Sequence, residues 1–124
     1  MVRRVLVVVA VVLVPALLLA QRTVTRVGVV AKPRVYDGRC PADIEFIATI
    51  HVSHYPTFAE YQWERSDGAK GPRQRVEIRS AGRGVTDTWH LGAGRRRMVV
   101  WERLHVLAPT GITSPEARVT ITCR

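Results

Sequence analysis

Asp43-Ile-Glu-Phe-Ile-Ala-Thr-Ile-His-Val-Ser53 decides the fold class. Ile44, Phe46, Ala48, Ile50 and Val52 occupy alternate positions, and Glu45, Thr49 and His51 fall between them. A period of two puts the apolar set on one face of an extended strand and the polar set on the other. That is the signature of a strand with one face in a core and the other in water.

The pattern repeats outward from this stretch. Residues 23–30, rich in Val and Thr, predict a first strand, with an extension after Pro33 through Val35-Tyr36 and a turn at Asp37-Gly38. Residues 58–65 alternate Ala59, Tyr61 and Trp63 against Glu60, Gln62 and Glu64. Ser66-Asp67-Gly68 and Gly71-Pro72 mark a loop. Residues 73–79 place Val76 and Ile78 among charges, as an edge strand does. Ala81-Gly82-Arg83-Gly84 predicts a break, and residues 85–91 a strand anchored by Trp89 and Leu91. After a turn at Gly92-Ala93-Gly94, residues 98–107 set Val100, Leu104 and Val106 against Trp101 and His105. Residues 109–115 read as a loop, and residues 116–123 close the domain with Ala117, Val119, Ile121 and Cys123 on one face. The sum is about seven strands and no helix: an all-β, seven-stranded antiparallel immunoglobulin-like sandwich.

With 124 residues, the chain has room for one such domain. Residues 21–124 form it, and residues 1–20 precede it as a leader. Arg3-Arg4 is followed by an apolar run of 16 residues, Val5 to Ala20, interrupted by Pro15. That is shorter than the roughly 20 residues of a comfortable membrane span. It reads as the helix of a signal peptide, cleaved near Ala20 or after Ala31, with an uncleaved anchor as the alternative. Either way the domain is expected outside the cell or on the outer face of its envelope. An oxidising compartment predicts a disulfide between Cys40 and Cys123. Two free thiols or half a metal site is the alternative, without any Cys-x-x-Cys spacing to favour it. In an antiparallel sandwich the start of the second strand and the end of the last share a pole. The bond then avoids crossing the core, unlike the bridge of antibody domains.

Cys40-Pro41, Tyr61-Gln-Trp63-Glu-Arg-Ser-Asp-Gly68, Thr88-Trp89, Trp101-Glu-Arg-Leu104, Val106-Leu-Ala-Pro109 and the terminal Thr-Ile-Thr-Cys123 run in a distinctive order. Together they resemble a group of secreted immunoglobulin-like domains from actinobacteria, over about Val24 to Arg124. The resemblance implies an exported sandwich with one disulfide, and no activity or site residue. Arg95-Arg96-Arg97 departs from it, standing where small or polar residues are expected.

The chain carries 19 basic and 10 acidic residues; without Arg3 and Arg4 the charge is +7. Arg73, Arg75 and Arg79 alternate along one predicted strand, and Arg95, Arg96 and Arg97 sit at a turn. Guanidinium clusters of this kind match phosphates and carboxylates. They are candidate binding residues for an acidic polymer or a membrane surface, the alternative being a solvated basic face. Trp101 is a further candidate, opposite in register to Val100 and Leu104 and expected to be partly exposed. Trp63 is expected at the centre of the core. With the aromatics spent there, a dedicated nucleic-acid reader is not expected. His51, His54, His90 and His105 do not converge by spacing, so no metal and no cofactor is expected. No serine has a Gly-x-Ser-x-Gly setting. Glu60, Glu64 and Glu102 are read as charges on outer faces rather than a glycosidase pair. The expectation is a monomeric, non-catalytic binding or structural module, its ligand in the envelope or outside the cell; binding of an acidic polymer is the alternative, and an envelope hydrolase is a third reading, discounted for want of a site.

Overall fold

The structure is a computed structural model, and residues 8, 10, 23–92, 94 and 96–124 are described. The leader expected at residues 1–20 therefore lies outside the described residues save for Val8 and Ala10, as do Ala93 and Arg95. Every regular element among the described residues is a strand.

The strand predicted from Asp43 runs as β3, Ala42–Val52, and its burial alternates as the side chains do. Ile44, Phe46, Ala48 and Ile50 have no exposed surface. Burying a side chain such as Ile or Phe stabilises by about 1.5–3 kcal/mol. β3 is the middle strand of a three-stranded antiparallel sheet, flanked by β1, Val24–Lys32, and β6, Gly82–Leu91. The second sheet has the order β2-β9-β7-β4-β5, with β8 pairing β7 beside that path. Its strands are β2, Val35–Gly38; β4, Thr57–Arg65; β5, Gln74–Ile78; β7, Arg97–Ala108; β8, Ile112–Thr113; and β9, Ala117–Cys123. The two inner faces meet in one core, where Phe46, Ile50 and Trp89 of the first sheet join Tyr61, Trp63, Leu104 and Ile121 of the second. This is an all-β, sandwich-like domain.

Four sequence expectations need correction. Among the described residues there are nine strands, not about seven, and β2 runs parallel to β9, so the second sheet is mixed. The first predicted strand is split at Pro33. A proline cannot donate to the ladder, so pairing with β3 stops at Lys32 opposite Glu45, and the chain resumes as β2 against β9 in the other sheet. Asp37-Gly38 belongs to β2 rather than to a turn, because both residues are paired, with Thr122 and Cys123. Gly82, Arg83 and Gly84 do not break the chain. They pair with His51, Ile50 and Thr49, and this long-range ladder overrides the local glycine signal.

The strands also define two poles. Ala42, Leu91, Arg97 and Cys123 stand at one, while Val24, Val52 and Gly82 stand at the other. The Cys40–Cys123 disulfide, with Cα atoms 5.4 Å apart, ties the first pole across a sequence separation of 83. Ala31 lies within β1 opposite Phe46, so a cut after Ala31 would remove most of that strand.

Candidate functional site

The disulfide pole gathers basic residues from three separate parts of the chain. Arg97 opens β7 opposite Thr122 and is exposed. The carbonyl of Arg96 accepts the Cys123 N–H at 2.8 Å. The Arg124 N–H reaches the Gly38 carbonyl at 2.9 Å, next to Arg39. Tyr36 fixes that corner by donating its hydroxyl to the Arg39 carbonyl. Arg124 makes a two-pronged contact with Asp37, Nε to Oδ1 at 2.6 Å and Nη2 to Oδ2 at 3.0 Å. These bonds hold the Asp37 carboxyl below its usual range and push the Arg124 guanidinium up. Arg39, Arg96 and Arg97 are all exposed and have no carboxylate partner among the described residues. Gly92 packs directly on the disulfide. A Cβ there would stand 2.8 Å from the Cys123 Sγ, and its φ of 93° already disfavours a side chain. Of the three arginines expected at this turn, Arg96 and Arg97 are at the pole and Arg95 lies outside the described residues. Arg39 and Arg124 join them through the topology and were not singled out by spacing.

The other basic group is organised differently. Only Arg75 lies inside β5; Arg73 and Arg79 flank it. Arg75 stacks on Phe58, its guanidinium carbon 4.2 Å from the ring centre, and Arg79 bonds Glu77 at 2.9 Å. With Glu60 opposite Arg75 in register, this face is largely charge-matched.

On the outer face of the six-stranded sheet, Trp101 is half-buried beneath Arg103, whose guanidinium carbon is 5.1 Å from the ring centre. The Arg103 guanidinium continues to Glu64, at 2.9 and 2.6 Å, and His105 Nε2 meets the other Glu64 oxygen at 2.9 Å. The bond to His105, aided by Arg103, holds the Glu64 carboxyl below the ordinary glutamate value. Thr113 on β8 completes the chain at His105 Nδ1, 2.8 Å away. This is a cross-strand clamp with its polar groups satisfied.

Glu102 is not on an outer face, contrary to the expectation from its charge. The pleat of β7 sets it in line with Val100 and Leu104, so it points inward and is 0% exposed. It therefore lies on the opposite side of the sheet from Glu64, and the two form no pair. Neither Glu102 oxygen has a hydrogen-bond partner among the described residues; Arg65 Nε is 3.7 Å from Oε1. Arg65 bonds Asp87 Oδ2 at 3.0 Å and the Thr88 carbonyl at 3.3 Å, while its guanidinium carbon lies 4.8 Å from the Trp89 ring centre. Burial, reinforced by the neighbouring Asp87 carboxylate and only partly offset by Arg65, pushes the Glu102 carboxyl up to about 9. It is neutral at physiological pH.

Beside this cluster, a groove of about 260 Å³ opens between β6 and the β4–β5 loop. Trp63, Arg65, Lys70, Gln74 and Asp87 line it. Trp63, expected at the core, is 3% exposed, and its indole Nε1 is buried without a hydrogen-bond partner among the described residues. The histidines are dispersed: His51 contacts Arg26 at 3.1 Å and His90 contacts Asp43 at 2.5 Å. No group of three or more His, Cys, Asp or Glu is placed to hold a metal among the described residues.

No protein-family model matches the chain, and no curated protein matches it in sequence.

Proposed function

We propose that this chain is an exported immunoglobulin-like module of the actinobacterial type, acting at the cell envelope by binding or as a structural surface, without catalysis. The observation that carries the reading is the Cys40–Cys123 disulfide in a domain this small, a bond suited to an oxidising compartment. The strand order supports the immunoglobulin-like assignment. β1-β3-β6 facing β9-β7-β4 corresponds to the A-B-E and G-F-C strands of such sandwiches, with β5 in the added C′ place. The disulfide joins the second-strand corner to the last strand, which separates the chain from antibody domains. Expression of the full chain with its leader tests the proposal. The domain is expected outside the cytoplasm, and non-reducing mass spectrometry is expected to find it two hydrogen atoms lighter than the dithiol. A cytoplasmic chain with two free thiols overturns it.

A second reading, binding of an acidic polymer, is favoured by the meeting of Arg39, Arg96 and Arg97 at one pole without carboxylate partners. Guanidinium groups brought together in this way contact phosphate, sulfate or carboxylate arrays. Immobilised heparin is the probe. Retention falls steeply with salt, as release of counterions requires, and substitution of all three arginines by Ser abolishes it. Equal retention of the triple variant refutes this reading, while loss of binding confined to Arg73, Arg75 and Arg79 variants moves the site to the β5 face.

A further inference from the structure

β1 is one edge of the three-stranded sheet and β6 the other. In an antiparallel edge strand, alternate residues direct their N–H and C=O groups away from the neighbouring strand. Among the described residues, the backbone of β1 bonds outside its ladder with β3 only at Val24, whose N–H reaches Thr110 Oγ1 at 3.4 Å. β6 carries the inward Asp87 opposite Phe46. β1 has no such device: Val24, Val27, Val29 and Ala31 face inward, opposite Val52, Ile50, Ala48 and Phe46. No proline interrupts the strand, and its register shift between Val24 and Arg26 leaves residues 26–32 evenly paired. An edge of this kind invites a further strand.

Two hollows lie against this edge. The larger, about 490 Å³, opens toward the outer face of the sheet, with Val30, Ile47 and Pro115 in its walls and Gly28 between them. The smaller, about 240 Å³, opens toward β9 and is lined by Val29, Arg34, Glu116 and Arg118. Arg118 bonds Glu116 at 2.9 Å, whereas the exposed Lys32 and Arg34 have no carboxylate partner among the described residues. We propose that the β1 edge binds an extended segment of an acidic partner chain as a fourth strand, pairing with the free backbone groups of residues 26–32. In strand addition the main-chain bonds supply affinity, and hollows for alternate side chains supply specificity. Successive side chains of the added strand point to opposite sides. One row, apolar, fills the Val30 hollow, and the other, acidic, meets Arg34. The excess positive charge of Lys32 and Arg34 at the end of the edge complements such a partner. The surface goes beyond the proposed envelope role and shares no residue with the arginine pole, so either can fail without the other.

The probe is a peptide that alternates Val and Glu over about eight residues, a common strand length, with both ends blocked. Amide hydrogen exchange of the exported, oxidised protein, read by ¹⁵N–¹H correlation, locates the contact. Amides of β1 that face away from β3 are expected to gain protection at saturation, while those of β5 and β6 stay as they are. Copies of the peptide N-methylated at all Val or at all Glu separate backbone pairing from side-chain contact. All N–H groups of one set face β1 and those of the other face away, so one copy is expected to bind and the other to fail. A new side chain at Gly28 meets nothing within 4 Å of its Cβ, so Gly28→Val keeps the fold and fills the hollow. It is expected to weaken the peptide about tenfold. Arg34→Ala is expected to weaken it about threefold at low salt and little at high salt. Equal binding of the two methylated copies, protection on β6 or β5 in place of β1, or no protection at all overturns the proposal. So does β1 protection that rises with protein concentration and ignores the peptide, which would assign the edge to a second copy of the chain.

Discussion

Glu102→Gln removes one ionisable proton from the core and little else, since glutamine has nearly the same shape. In the wild type, the Glu102 carboxyl rises from the ordinary glutamate value of 4.5 to about 9 on folding. The folded state therefore holds a proton that the unfolded state has released throughout that interval. Stability from the neutral carboxyl is complete below 4.5 and is lost progressively as pH rises toward 9. Each pH unit in this window weakens the fold by about 1.4 kcal/mol, so the loss between about pH 5.5 and pH 8 is about 3 kcal/mol. The carboxyls held low in the folded state, Asp37 and Glu64, act with the opposite sign. Their stability is present above the unfolded carboxylate value and is lost only at more acid pH. Urea denaturation of the two proteins at both pH values isolates the Glu102 contribution by difference. Relative to the wild type, Glu102→Gln is expected to gain about 3 kcal/mol between about pH 5.5 and pH 8. Parallel pH profiles for the two proteins would refute the reasoning.

Replacing both Cys40 and Cys123 by Ser opens a loop spanning a sequence separation of 83. The chain-entropy relation gives a loss of about 4.5 kcal/mol, measured as a lowered urea midpoint with the slope compared against the oxidised protein. Gly92→Ala places a methyl 2.8 Å from the Cys123 Sγ at a φ of 93°; a loss of about 1–3 kcal/mol is expected in the same assay. Arg65→Met keeps the apolar stem over Trp89 but leaves Asp87 and Glu102 without their cation. A loss of about 2 kcal/mol is expected at pH 8 in the same assay. If the arginine pole is the binding surface, tethering the domain to a support through Thr23 leaves heparin retention intact, and tethering through Arg124 reduces it. Equal retention in the two orientations places the surface elsewhere.

β3 was legible because its alternation is uninterrupted and its register permits only one face to enter the core. Trp63, Trp89 and the two cysteines followed from the same counting. What escaped the reading depended on pairing between distant segments. Whether Val35 continues the first sheet or joins the second is settled by its place beside Thr120, and no local residue announces that choice. Gly82 and Gly84 look like breakers until Thr49 and His51 are laid alongside them. Arg39 and Arg124 reach the basic pole through the β2–β9 ladder, so spacing along the chain could not have grouped them with Arg97. Glu102 is a different case. Its parity with Val100 and Leu104 was visible in the sequence, but a carboxylate is so seldom fully buried that its charge outweighed its position. The orphan indole of Trp63 carries no sequence signal.

The placement of the polar cluster follows from how the sandwich closes. β6 is the edge of the three-stranded sheet and β5 the edge of the other, so the core is least covered along this flank. An edge strand of ten residues offers a row of unpaired backbone groups to any other chain. On β6, Asp87 points inward among apolar neighbours, and inward charges are one way natural sheets discourage such pairing. A lone inward carboxylate would be costly, and Arg65 reaches from β4 to meet it. The same guanidinium lies over Trp89 and 3.7 Å from Glu102, so one side chain closes the flank and satisfies the edge charge, while burial and Asp87 outweigh its pull on the Glu102 carboxyl. The groove lined by Trp63 begins where that closure ends, at the β4–β5 loop. Removal of Arg65 should therefore change the dependence of stability on pH, whereas variants of the exposed Gln74 and Lys70 should leave it as it is.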